Sequence, residues 1–431
     1  MNLNVRYFQE YSHRGGKSPI SLSCANKLFI PVFILFIIFS CQKEEKQISY
    51  YGDINISNQT ELDDFAQKDY EEICGNLTIY HDANDSLAVH IGYLSSLNSI
   101  RRIEGNLSII STEINSLNGL ENLEYVGGKL LIEDNQYLKT FSGLQNLKHV
   151  GSLAFSGNTH VRSFDNFEHL ESIDSSIVIR NTYLEKITEF ENISELKGDV
   201  VLENNSFLSN LSGLNNIESI GRDLIISKTA AKSGLNGFIN LKTIGGDFSI
   251  SGDTKLSDTT FRNLTTVNGY FELKSSGITN VDGFVSLKET GGVILTHMEE
   301  VTGFSNLQYV RGDFILNWNL FLNSLEGLNN LKTIEGLLWF NFNYELYDID
   351  GLEGLESIGG LDINNTPLGN LNGFENLKEI NGDILVISMS LKDYCGIKNA
   401  LLNFQYDFRI NNTLISVPEF LETLEENCPS E

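Results

Sequence analysis

The sequence predicts an all-β chain coiled into a parallel β-solenoid of about thirteen turns, on three observations. A motif of the form G-(L/F)-x-x-L recurs, as in "GLENLEYVGGKLLI" from Gly119, "GLNNIESIGRDLII" from Gly213 and "GLNNLKTIEGLLWF" from Gly327. The same frame without its glycine starts at Ser96, Asn166, Glu189 and Thr260, and Gly143, Gly237, Gly283, Gly303, Gly351 and Gly373 complete it. Successive anchors lie 23, 24, 23, 23, 24, 24, 23, 23, 20, 24, 24 and 22 residues apart, an interval that signals stacked repeats. Within a turn, apolar residues fall 1, 4, 7, 11 and 13 positions after the anchor, as in Leu120, Leu123, Val126, Leu130 and Ile132.

Each element of a turn follows from that frame. The last two apolar positions flank a single residue, the spacing of a strand with both side chains on one face. Strands repeating every 23 or 24 residues with no hairpin between them pair in parallel with the turns above and below. A further apolar pair, such as Leu138 and Phe141 or Leu322 and Leu325, points inward from the next side of the coil. Asn135, Asn205, Asn319 and Asn343 share one corner, where a short amide tolerates tight backbone and can ladder with its neighbours. A lone turn buries too little to fold, so the repeats must stack and both ends need caps.

The caps are predicted as helices. Thr60 and Asp63 mark a helix start with Leu62 and Phe65 facing inward, and the chain then enters a first strand at Leu77 and Ile79. At the other end Ile397, Ala400, Leu401 and Phe404 stand at helical spacing, and Ser416 with Glu419 is in capping-box register with Pro418 in the first turn. The resulting division is 1–40 leader, 41–51 linker, 52–92 N-terminal cap and first turn, 93–390 repeats, and 391–431 C-terminal helical cap.

The leader rests on "FILFIIFSCQKEEK". The apolar run Leu28 to Phe39 is twelve residues long and contains Pro31, short of the roughly 20 residues that span a bilayer. Lys27 precedes it, the arrangement of a secretory signal. Ile38-Phe39-Ser40-Cys41 resembles the lipobox of bacterial lipoproteins, which implies cleavage before Cys41 and acylation of that cysteine. The alternative is an ordinary cleaved signal with a coincidental cysteine. Gln42, Lys43, Glu44 and Glu45 are similar to the surface-export signal of Bacteroidota-type lipoproteins. Together these imply a chain tied by lipid to the bacterial outer membrane, facing the exterior, and monomeric.

The G-x-L-x-I strand and the opening "EEICGNLTI" resemble receptor L-domains, leucine-rich solenoid modules of growth-factor and insulin receptor ectodomains. The resemblance covers about residues 52–390 and implies a right-handed coil. "DYCGIKNALL" through Cys428 is similar to the tail that follows such repeats in Bacteroidota-type surface lipoproteins. The chain has roughly twice the turns of one receptor module and no cysteine-rich domain, so hormone binding does not carry over.

Charge and motif content narrow the function. The 57 acidic against 30 basic residues, net −27, exclude a phosphate-gripping surface and with it a nucleic-acid partner. His149, His160 and His169 occupy different positions of successive turns, and no HExxH, GxSxG, phosphate loop or metal-ligand spacing occurs, so no catalytic residue, metal or cofactor is assigned. Asp247, Asp313 and Asp383 read as scattered strand-facing acids. Cys395 and Cys428 fall in the two predicted C-terminal helices and can fasten the cap as a disulfide, with two buried thiols as the alternative. Cys74 reads as a packed core thiol.

One region concentrates aromatic surface. Trp318 and Trp339 are the only tryptophans and lie near Phe342 and Tyr344. Trp339 takes the outward position between inward Leu338 and Phe340, and as a contact residue it is expected to be exposed. It could instead belong to an outward apolar column of Leu131, Val178, Val201, Ile225, Leu295, Ile315 and Leu385. The two functions in play are a surface module recognising an extracellular protein or glycan, with Trp339, Trp318, Phe342 and Tyr344 as candidate contacts, and a passive structural envelope protein. A solenoid polysaccharide-active enzyme is third.

Overall fold

The structure, a computed structural model, describes residues 48–82, 89–229, 234–252, 254–256, 260–275 and 278–428. Cys41 and Gln42 to Glu45 lie outside the described residues. The described chain is a parallel β-solenoid of about 15 turns. Its principal ladder starts at Ile54–Ile56, passes through Leu77–Tyr80 and Leu107–Ile110, and ends at Phe408–Ile410. Fifteen parallel pairings in succession join sixteen rungs. The thirteen anchored frames supply thirteen of these rungs. The other three belong to the caps, where Ile54, Leu77 and Phe408 pair like repeats without the anchor motif.

A second parallel ladder of short strands precedes the first in each turn, through pairs such as Arg102↔Tyr125 and Tyr125↔His149. The inward positions fill one continuous core in which Leu130, Ile132, Leu338 and Phe340 are buried. Phenylalanines from adjacent turns interlock there, Phe141 with Phe155 at 4.8 Å and Phe271 with Phe284 at 4.7 Å. Three turns lose one residue at the corner before the long strand, where the ladder shifts register between Val126 and Lys129, Val267 and Tyr270, and Ile334 and Leu337. In the turn from Gly283 this moves the frame, so Leu295 is fully buried and Ile294 faces outward, paired with Ile315 and Glu272. The outward assignment of Leu295 is corrected accordingly.

Two polar columns hold the corners. After the long strand, Asn135 accepts from the backbone N–H and hydroxyl of Thr112 at 2.9 and 2.6 Å and donates to the carbonyls of Ile109 and Glu133 at 2.9 and 3.0 Å. Asn205, Asn319 and Asn343 do the same for their neighbours, so the amides bridge turn to turn. The residue in left-handed backbone is the one before each amide: Asp134, Asn204, Trp318 and Phe342 have φ of 54°, 56°, 60° and 54°.

Before the long strand, Asp223 accepts from the N–H of Asp247 at 2.9 Å, and Asp247 from that of Tyr270 at 2.8 Å. Asp313 and Asp383 bond Leu337 and Asp407 likewise. These carboxylates are therefore corner fasteners and do not face out from the strand as the sequence suggested. A glycine in the next turn makes room for Asp223, Asp247 and Asp313, since a Cβ on Gly246, Gly269 or Gly336 would stand 2.0, 2.2 or 2.4 Å from the respective carboxylate.

The caps differ in detail from expectation. The N-terminal helix spans Gln59–Ala66 and is capped by Asn58, whose side chain accepts from the Glu61 N–H at 3.0 Å; Thr60 lies inside it. Leu62 is buried and Phe65 packs partly against the core. At the C-terminus a short 3-10 turn, Cys395–Ile397, leads into the helix Lys398–Leu401. A sixteenth rung and an antiparallel strand, Thr413–Leu414, then intervene before the helix Val417–Asn427, whose Phe420 packs against Phe408 at 5.1 Å. Cys395 and Cys428 are bonded, with Cα atoms 5.6 Å apart. Cys74 is half-buried and disulfide-bonded, which corrects its assignment as a packed thiol.

Candidate ligand-binding ridge

The left-handed corner forms a row running from turn to turn, His297, Trp318, Phe342 and Asn365, with φ of 65°, 60°, 54° and 48°. Elsewhere in this row stand Ser111, Asp134, Gly157, Asn181, Asn204, Lys228 and Gly252, mostly short polar residues or glycine that accept such backbone readily. Bulky aromatics there are strained, and strain held in place by surrounding structure is a pointer to function. Trp318 and Phe342 stack with ring centroids 4.3 Å apart at 27°, and Tyr344 meets Phe342 edge-on at 6.2 Å. Trp318 is 46% exposed and Tyr344 50%.

Behind the rings runs an amide chain. Asn341 donates to Asn317 at 3.2 Å and Asn365 donates to Asn341 at 3.4 Å. Beside them is a cleft of about 430 Å³ lined by Glu299, Glu300, Phe321 and Asn323, with Phe321 68% exposed. Its origin lies in the repeat lengths. From Met298 to the next anchor, Gly303, is five residues, whereas from Asn319 to Gly327 and Asn343 to Gly351 is eight, so one turn falls three residues short and leaves a notch. Phe321, Glu299, Glu300 and Asn323 were not singled out from sequence. The 20-residue interval between Gly283 and Gly303 was the signal that marks them.

Trp339 stands apart from the ridge. It occupies the outward position of its strand, in register with Ile315 and Asp362, but is half-buried and in no ring contact, and its indole N–H is shielded with no acceptor. Asp362 beside it has a shielded carboxylate oxygen without a donor, and burial pushes its carboxyl above the ordinary range. The exposure expected of Trp339 as a contact residue is not met, because the neighbouring outward side chains cover it.

One cluster has the composition of a hydrolytic site. His149 Nδ1 lies 2.7 Å from Ser172 Oγ and its Nε2 3.6 Å from Asp174. Burial, ahead of the opposing Asp174 charge, lowers the imidazole's pKa. A serine attack, however, needs backbone donors for the developing oxyanion. The N–H groups of Glu171, Ser172, Asp174 and Ser175 are all spent on carbonyls of the preceding turn. The ring also stacks on Tyr125 at 4.5 Å, under Arg102 at 3.5 Å from that ring, as one rung of a polar stack along the short-strand ladder. His81 and His90 stack at 4.0 Å with Glu113 3.2 Å from His90, yet no group of three metal-ligating side chains converges among the described residues. No helix among the described residues is long and apolar enough to cross a membrane.

Comparison with known proteins agrees with the architecture. Residues 71–151, from the second short strand, Glu72–Ile73, into the third anchored turn, match the Receptor L domain family. No curated protein matches the chain. A solenoid with a segment similar to this binding-type family suggests a repeat scaffold for binding.

Proposed function

We propose that this chain is a non-enzymatic cell-surface lipoprotein that recognises an extracellular protein or glycan, anchored through Cys41 and exported through Gln42 to Glu45. The observation that carries the recognition part is the Trp318–Phe342 stack, an exposed indole on a half-buried phenyl ring, both held in strained backbone beside a notch in an otherwise regular coil. The anchor part is supported by "IIFSC" followed by "QKEEK". Lipid chains hold such a protein at a membrane because each buried CH₂ contributes roughly 0.8 kcal/mol.

The experiment is binding of the purified, detergent-solubilised protein to a glycan array and to immobilised extracellular-matrix proteins. Retention on either supports recognition, and no retention on both favours a passive envelope protein. The anchor is checked by metabolic labelling with a palmitate analogue, which Cys41→Ala should abolish. Label in the variant equal to wild type would contradict acylation, and so would persistence of the Cys74 disulfide in the exported protein: with Cys395 bonded to Cys428, cleavage before Cys41 and a thioether on its sulfur leave Cys74 no cysteine to bond.

A further inference from the structure

The ridge and notch carry a mixed set of polar groups. Glu299 and Glu300 supply acceptors in the cleft. The amide chain ends on the Asn317 N–H pair at one side and the Asn365 carbonyl oxygen at the other, neither bonded to another described residue. Donors and acceptors side by side suit hydroxyl groups, which do both. A cationic peptide would use the carboxylates and leave the amide donors idle. A polyanion is opposed by the Glu299–Glu300 pair and the net charge of −27. A stable protein partner buries about 800 Å² and 20–30 residues a side. Here the exposed rings of Trp318, Phe321 and Tyr344 are interleaved with carboxylates and amides, a poor match for an apolar protein patch.

Shape favours the same ligand. The exposed Trp318 ring, backed by Phe342, presents an apolar face of about the size of one pyranose, next to an open, shallow cleft lined by Glu299, Glu300, Phe321 and Asn323. We propose that the notch made by the short turn, with the Trp318–Phe342 ridge at its side, binds an uncharged oligosaccharide. The rings stack on the sugar's C–H face, while Glu299, Glu300 and the ends of the amide chain take its hydroxyls. This inference rests on the recognition reading and specifies its ligand.

The test is titration of the full-length exported protein with cellohexaose, chitohexaose and mannohexaose, with heparin and hexalysine as charged controls. The readouts are calorimetry and tryptophan emission in a Trp339→Phe background, where Trp318 alone reports. Binding of at least one neutral hexasaccharide is expected, with a change in emission. Trp318→Ala and Phe342→Ala should weaken it tenfold or more, and Glu299→Gln with Glu300→Gln several-fold. Phe321→Ala, a substitution at an exposed position, should also weaken it and serves where the ridge variants fail to fold. No binding of any neutral sugar, binding only of hexalysine or heparin, or sugar binding indifferent to Trp318, Phe342 and Phe321 overturns the inference. In the last case, or where matrix proteins alone are retained, recognition itself still stands.

Discussion

Replacing Asn135 by alanine isolates the contribution of the corner amides. Asn135 is fully buried and far along the coil from the ridge. Its loss orphans the backbone N–H of Thr112, which it meets at 2.9 Å, and takes a second donor from the carbonyl of Ile109, also at 2.9 Å, which stays paired in the ladder with the next turn. A buried polar group left without a partner costs about 1–3 kcal/mol. The expectation for this one group is about 1–3 kcal/mol, toward the lower end where a water enters the space vacated by the amide. Threonine should rescue most of it. At the same corner Thr229 donates its hydroxyl to the Leu202 carbonyl at 3.2 Å, and Thr254 accepts from the Thr229 N–H at 3.3 Å, so one hydroxyl reproduces both contacts. Asn135→Thr is therefore expected to cost about 1 kcal/mol or less. Stacked turns need not unfold in one step. The assay is accordingly urea denaturation combined with hydrogen exchange at the Thr112 amide. A change under about 0.5 kcal/mol for Asn135→Ala, or a threonine variant as unstable as alanine, would falsify the argument.

The remaining predictions use other parts of the coil. Reducing the Cys395–Cys428 bond, which closes a 33-residue separation, should lower stability by about 3–4 kcal/mol on the loop-entropy scale; an unchanged melting curve for Cys428→Ser would count against its role in fastening the cap. Asp362→Asn should raise stability at neutral pH, because the native carboxyl is held above its ordinary value by burial. The gain should be absent below about pH 3.8, grow as pH rises through the carboxylate range and then level off; a gain that persists at pH 3 would point to packing instead. His149, buried and favoured in its neutral form despite Asp174 and Glu104 and with Arg102 on the same side, should contribute stability above about pH 6.5 that falls away as pH drops below that value; wild type and His149→Gln showing parallel pH profiles would contradict this. Gly246→Ala, whose new methyl meets the Asp223 carboxylate, should cost about 1–3 kcal/mol, measured by the same denaturation.

Much of the fold was legible because the repeat is simple physics. A coil with one strand per turn must place apolar residues at fixed positions, so Leu130 and Ile132 could be oriented from spacing alone. The corner amides could be grouped for the same reason, although the strained backbone sits one residue earlier, on Trp318 and Phe342 in place of the asparagines. What resisted was anything that broke the frame. Leu295 was misplaced because its turn drops a corner residue, and a one-residue slip reverses a strand's faces. The rungs at Ile54 and Phe408 went uncounted because the ends need strand pairing but not the anchor that packs against a preceding turn. Asp247 and its equivalents look like exposed strand acids until the neighbouring glycine is seen to accommodate a carboxylate. Trp339 has the alternation of an exposed residue, and only the packing of outward neighbours decides its burial. The notch was written in the 20-residue interval, but its lining comes from two different turns and became a site only when they stacked.

The most direct measurement compares cells displaying wild-type protein with cells displaying a Trp318→Ala, Phe342→Ala double variant. Protease shaving establishes that both reach the surface in equal amount, and the readout is adhesion to surfaces coated with neutral glycan or matrix protein. The account predicts equal display and adhesion lost in the variant alone. Equal display with undiminished adhesion, or no adhesion by wild type to either coating, would contradict a recognition role for the ridge.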